Sequence, residues 1–278
     1  MQIKSFFPRL EDWEATKATL HAYSKVVGAV PRTHAIAHPK WWHISLKVTP
    51  DGLVTDNMPL PDGGIFVLKM NFLQHRIELL ASTGQRAVWS MAHGLTANEL
   101  ASEMFSVLES LNLKGNYVRP KFENDDPRAY NPDQAVAFFA ALVNVERIFC
   151  DHRATLTGEV GPVQLWPHGF DLSFEWFGTR QVEYEEHGQI SRFPAQINLG
   201  FSPGETSHPR PYFYSNPFPF DADRLLPQAL PHGAQWFTES WQGSLFAYDK
   251  LVDDPNARQK VLEYARAVYH LASPGLMA

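Results

Sequence analysis

Cysteine is nearly absent from this chain: among 278 residues there is one, Cys150. That excludes an intrachain disulfide and a cysteine-based zinc site. Cys150 falls in an apolar helical pattern, which predicts a buried, inert thiol. Long hydrophobic runs are also missing. No stretch approaches the roughly 18 apolar residues needed to span a bilayer. The opening Met1-Gln-Ile-Lys-Ser-Phe-Phe-Pro has no apolar core and no small-residue cleavage site, which predicts a cytoplasmic protein without membrane association. Positive charge is in short supply, with 24 Lys and Arg against 30 Asp and Glu. No basic stripe is visible, so nucleic acid is not an expected partner. Gly-x-Gly-x-x-Gly, the Walker Gly-Lys-Ser/Thr and the kinase signatures are all lacking, and Ser202 is not in a Gly-x-Ser-x-Gly elbow. These gaps remove the standard nucleotide sites and the serine-hydrolase elbow, and no cofactor is named by what remains.

Aromatic residues are abundant, at 13% of the chain, with 8 Trp and 19 Phe. A chain of this length buries roughly three quarters of its unfolded surface. Large buried rings or a ring-lined cavity are therefore expected.

Periodicity predicts an α+β protein of antiparallel sheets with packed helices. Trp13, Thr16, Leu20, Tyr23 and Val27 recur at helical steps, and Gly28 is placed to end that helix. Trp42, Ile44, Leu46 and Val48 alternate with polar residues as a strand would. Strands are predicted at 53–55, 65–72, 76–81 and 87–91. Their connections are too short for parallel crossovers. Thr96-Ala-Asn-Glu99 has the form of a capping box, and the helix it opens is expected to run to Gly115. Residues 119–130 are polar and Pro-bearing and make the expected boundary between a first half, 1–118, and a second, 131–278. Asn131-Pro132 opens an apolar helix reaching about Arg153. Strands follow at 163–166, 170–177, 196–201, 211–215 and 244–248, and Asp254-Pro255 opens a last helix. The repeated order, helix then strands then helix, suggests two similar halves made by duplication, packed as one unit. Plain segregation of strands and helices gives the same order.

Four segments carry a family resemblance: Trp13-Glu-Ala-Thr-Lys-Ala-Thr-Leu-His21 with Val26-Val27-Gly28, Trp41-Trp42-His43-Ile-Ser-Leu, Gly161-Pro162-Val163-Gln164, and Phe170-Asp171-Leu172. Together they resemble an uncharacterised bacterial family built on a domain of unknown function, catalogue number 5996. Relatives read His-Phe-Phe-Trp-Gly-Ser before Phe-Asp-Leu, where this chain has Gln164-Leu165-Trp166-Pro167-His168-Gly169. The resemblance implies a bacterial cytosolic protein of one unit and carries over no activity, substrate or catalytic residue.

Four clusters could carry chemistry. Trp41, Trp42 and His43 could stack on and orient a flat ligand, although packing alone also accounts for aromatic residues at a strand start. His34, His38 and His43 have ligand-like spacing, but Pro39 turns His38 out of any helix and no His-Glu-x-x-His is present, so no metal site is assigned. In Gln164–Asp171, Pro167 and Gly169 suggest a bulge that could bring His168 and Asp171 together as a general base and its orienter; an ordinary turn is the alternative. Tyr212, Tyr214 and Asn216 share one strand face opposite Phe213 and offer hydroxyl and amide groups beside rings, or else form an edge strand whose hydroxyls reach water. Glu183-Tyr-Glu-Glu186 reads as a short acidic surface loop.

The leading expectation is a protein that binds a small organic molecule. Its cleft would be lined by Trp41, Trp42, His43, Tyr212, Tyr214 and Asn216, with acid/base chemistry assigned to His168 and Asp171. The rivals are a non-catalytic interaction protein displaying exposed aromatics and a metal-dependent hydrolase using histidines 34–43 with His168. Whether the chain is an enzyme, and its oligomeric state, are left open.

Overall fold

The structure is a computed structural model that describes residues 5–186 and 189–278. Along the chain the elements are α1 (Glu14–His34), β1 (Leu46–Thr49), β2 (Gly52–Thr55), β3 (Met58–Pro59), β4 (Ile65–Asn71), β5 (Arg76–Ala81) and β6 (Arg86–Ser90). Then come α2 (Ala97–Ser110), α3 (Pro132–Arg153), β7 (Glu159–Val160), β8 (Gln164–Trp166) and β9 (Asp171–Glu186). The order closes with β10 (Gln189–Ser202), β11 (Tyr212–Phe218), α4 (Ala222–Leu225), β12 (Gln235–Phe237), β13 (Gly243–Ala247) and α5 (Ala257–Ala272). The class is α+β, and the strand pairings are antiparallel, as the short connections require. No helix among the described residues is long and apolar enough to cross a membrane.

The chain divides into two compact units. An amino-terminal unit comprises Leu10–Val143 with Gln164–Asp171, and a carboxy-terminal unit takes the described part of Met1–Arg9 with Asn144–Val163 and Leu172–Ala278. This division differs from the expected split at 119–130. It falls inside α3, and the polar segment belongs to the amino-terminal unit. Side chains tie it there: Thr19 donates to the Ala129 carbonyl, and the Thr16 hydroxyl accepts from the Asn131 amide and donates to Gln134.

In the amino-terminal unit the strands run β8-β1-β2-β4-β5-β6, with β3 against β4. The capping box forms as expected: the Glu99 amide donates to Thr96 Oγ1 at 3.1 Å and the Thr96 amide to Glu99 Oε2 at 2.8 Å. The helix it opens ends at Ser110 rather than at Gly115. At Gly52 a Cβ would lie 1.9 Å from the Met70 carbonyl, so only glycine lets β2 approach β4 there. The core sets α1 and α3 against the sheet. Trp13 stacks on Phe138 at 4.8 Å, and Phe72 on Phe139 at 5.2 Å. Each such ring, taken out of water, contributes roughly 1.5–3 kcal/mol.

In the carboxy-terminal unit the strands run β12-β13-β11-β10-β9, with β7 on β9. Phe7, Phe149, Phe174, Phe201, Phe213 and Tyr248 form its ring cluster. The expected acidic loop is instead the end of β9, where Glu183 opposes Arg192 of β10 and accepts from its guanidinium. Cys150 also departs from expectation. It lies on the exposed side of α3 and donates to Glu146 at 3.2 Å. Partial burial, and then the Glu146 carboxylate, push its thiol up to about 12, which disfavours the reactive thiolate although the residue is exposed.

Candidate functional site

The amino-terminal unit contains a cleft of about 420 Å³. Its floor is one face of α1, where Lys25, Gly28, Ala29 and Arg32 follow at helical steps of three and four. Helical geometry separates the two cations by roughly 10 Å along the axis, with the two smallest side chains between them. Trp41 and Ile44 form one wall, Val118, Lys121 and Phe122 another, and Trp166, Pro167 and His168 the third.

Gly28 does not end α1, as its residue type suggested. The helix continues through the buried Pro31 to His34, and the glycine serves a contact instead. A Cβ at Gly28 would come within 2.7 Å of the Pro167 ring, so the missing side chain lets the 166–170 turn lie directly on the helix. The turn is pinned by further bonds. Ser24 Oγ donates to the Pro167 carbonyl at 3.3 Å, and His21 Nε2 donates to the His168 carbonyl at 2.9 Å. Phe170, held at φ +57° by this turn, stacks on His21 at 5.6 Å and meets Phe138 at 5.3 Å. Burial, and then the nearby Lys25, lower the His21 pKa to about 4, so its ring is neutral and the donating tautomer is set by the carbonyl it faces.

Trp41 occupies the left-handed region at φ +60° and is 52% exposed. One face of its ring lies near Arg32, whose guanidinium carbon is 5.1 Å from the ring centroid, and His43 stacks with it at 5.6 Å. The charged side chains of the lining are Lys25, Arg32 and Lys121, with no carboxylate among them. Burial holds the Lys25 ammonium below its ordinary pKa. The cleft thus combines indole and apolar walls with a positive potential, an arrangement suited to a flat organic ligand.

The model of a family described as a Family of unknown function (DUF5996) matches residues 7–275. The chain belongs to this family. No curated protein and no solved structure matches it. In this DUF5996 chain the chemistry open to the cleft is that of its own lining residues.

Two of the expected site residues, Trp41 and His168, line the cleft. Trp42 is not at a strand start. It opens a 3-10 turn, Trp42–Ile44, is half-buried, and stacks on His38 at 4.5 Å. His43 is buried, and its Nδ1 accepts the His38 amide at 3.0 Å; burial, then His38 and Arg32, lower its pKa. The Gln164–Asp171 stretch is a strand end followed by a turn, not a bulge: the Phe170 amide donates to the Trp166 carbonyl at 2.7 Å. The Asp171 carboxylate lies over Gly169, where a Cβ would be 2.4 Å from Oδ1.

Tyr212, Tyr214 and Asn216 stand on β11 of the carboxy-terminal unit, with Phe213 buried on the opposite strand face. There Tyr212 donates to Glu205 at 2.7 Å, the Tyr214 ring covers Gly200, and Asn216 donates to the Gln242 carbonyl at 3.0 Å. The histidine series is also dispersed, since His34 Nε2 meets the Tyr117 hydroxyl at 2.8 Å. Among the described residues no three His, Cys, Asp or Glu side chains come together as a metal-ligand set.

Residue reasoning missed the α1 face. Its signal was present: Gly28-Ala29 flanked at three residues on either side by Lys25 and Arg32. It also missed Lys121 and Phe122, which looked like part of a linker.

A second ring-walled hollow, of about 600 Å³, lies in the carboxy-terminal unit against Glu159, Trp176, Phe177, Tyr269 and Pro274. Trp176 is 4% exposed, meets Tyr269 edge-on at 5.2 Å and donates its indole N–H to the Thr157 carbonyl at 2.7 Å.

Proposed function

We propose that the amino-terminal cleft binds a small organic molecule with a flat apolar body. One observation carries this reading: an indole, Trp41, held half in solvent in a left-handed backbone conformation beside a concave apolar wall. A Trp with no ligand-facing role gains little from that position, because bulky side chains are disfavoured there and exposure forfeits burial. The volume is within the range of small-molecule sites, and the small Ala29, next to the Gly28 that Pro167 covers, keeps the helix side of the cleft low. His168 contributes the one imidazole of the lining, a group able both to donate and to accept a hydrogen bond. We assign it, with Asp171 as its orienter, any proton exchange with the bound molecule.

Filling the cleft tests this. Ligand-observed NMR with a set of flat aromatic fragments should show saturable binding to the wild-type chain. That binding should be lost in Ala29→Phe, whose circular dichroism melt should stay near wild type. The reading is wrong if no fragment binds at millimolar concentration, or if binding survives the substitution.

A further inference from the structure

We infer that the cleft selects an organic anion, a flat aromatic body bearing one carboxylate, with Lys25, Arg32 and Lys121 as its charge-binding groups. The inference rests on the proposed binding function and adds the chemical class of its ligand.

The first observation is a concentration of charge against the grain of the chain. Acidic residues outnumber basic ones, 30 to 24, yet the charged lining residues are three cations and no acid. Second, the three carry no carboxylate partner, unlike Arg9 with Asp253, Lys69 with Asp51, Arg76 with Glu78, and Arg258 with Asp151. Among the described residues Lys25, Arg32 and Lys121 make no ion pair, and the charge acting on Arg32 is met only by the Trp41 ring. A half-buried ammonium such as Lys25 gains most from an anion that arrives with the ligand, because its own burial has already removed part of its water. Third, the spacing suits one charge at the end of an apolar body. Ala29 lies between two cations on one helix face, and Trp41 and Trp166 line the same cleft.

Carboxylate is favoured over phosphate by position on the helix. Lys25 to Arg32 belong to the second half of α1, toward the negative end of its dipole, where no unpaired backbone N–H groups are offered. A phosphate dianion gains most at the opposite end of a helix.

The test uses the full chain and three probes of one shape: 2-naphthoate, the neutral 2-naphthamide and 2-naphthyl phosphate. Isothermal titration calorimetry at low and high salt should show naphthoate binding about tenfold or more tighter than naphthamide, with the gap narrowing in salt. Arg32→Gln and Lys121→Gln alter exposed side chains, so the variants fold. Each should weaken naphthoate several-fold more than it weakens naphthamide. Equal affinities for naphthoate and naphthamide overturn the anion inference and leave the binding cleft standing. Failure of both to bind overturns the two together. Tighter binding of the phosphate overturns the carboxylate assignment.

Discussion

The two ring-walled hollows use tryptophan in opposite ways. In the carboxy-terminal unit Trp176 has its N–H engaged by a carbonyl, its ring in T-shaped contact with Tyr269, and almost none of its surface in water. In the amino-terminal unit Trp41 keeps half its surface in water, at a backbone angle that costs of order 1–2 kcal/mol for a side chain of its size. The first ring contributes to stability through everything it touches. The second is held against the local backbone preference, beside three cations without ion-pair partners. Equal aromatic content therefore does not mean equal availability: hydrogen bonding and exposure separate a wall that is structural from one that is ready to receive a ligand.

The comparison breaks if the two tryptophans respond alike to removal. Trp176→Ala should cost about 3–5 kcal/mol, read as a lowered denaturation midpoint, with little effect on fragment binding in the other unit. A loss under 1 kcal/mol would mean that the ring is not structural.

Acid sharpens it next. Behind each hollow sits an imidazole, the half-buried His21 beside the 166–170 turn and the buried His152 against Tyr269, and desolvation lowers the pKa of both to about 4. Both rings are neutral in the folded chain and take up protons on unfolding below pH 6.5. Their contribution is whole above that pH and is lost as pH falls from 6.5 toward 4. Each accounts for on the order of 3 kcal/mol at full extent. Denaturation measured across that window should be steep for the wild type and shallower for His152→Gln, whose parent ring has a buried Nδ1 without a hydrogen-bond partner. An unchanged slope would remove His152 from the account.

Smaller again is Gly28→Ala. On an open helix this change stabilises by about 1 kcal/mol. Here the new methyl meets the Pro167 ring, and overpacking costs about 1–3 kcal/mol, so the net effect should be a loss of stability and a displaced cleft wall. A gain in stability would show that the turn yields freely.

Smallest in stability, and most telling for function, is Trp41→Gly. Relief of the left-handed angle offsets the lost contacts and the added freedom of the unfolded chain, leaving stability within about 1 kcal/mol of wild type. Naphthoate binding should nevertheless fall by about tenfold or more. A variant that unfolds would make Trp41 another Trp176.

What the sequence showed plainly was whatever local chemistry decides. The Thr96–Glu99 box and the Asn131-Pro132 helix start depend on residues two or three apart, and both form. β5 spans the expected Arg76–Ala81 because its neighbours are supplied by short hairpins. Gly28 misled because its reason for being glycine is Pro167, more than a hundred residues away, and no periodicity reports that contact. Trp42 misled because alternation cannot reveal that Trp41 turns left-handed and converts the expected strand start into a 3-10 turn. Trp41 and His168 were found because unusual residue types stand out. Lys25 and Arg32 were hidden because, until the 166–170 turn is placed on α1, a cation at a helical step is indistinguishable from ordinary solvated surface.

That turn also sets the timetable of folding. Residues 164–171 supply a strand beside β1, a wall of the cleft and the Phe170 ring in the core, yet they follow the rest of their unit by twenty residues of chain assigned to the other. During synthesis the amino-terminal unit cannot reach its final packing until residue 171 has left the ribosome. A fragment cut at Val143 would expose the hollow that Phe170 fills and an unpaired β1 edge, leaving a sticky intermediate rather than a free-standing domain.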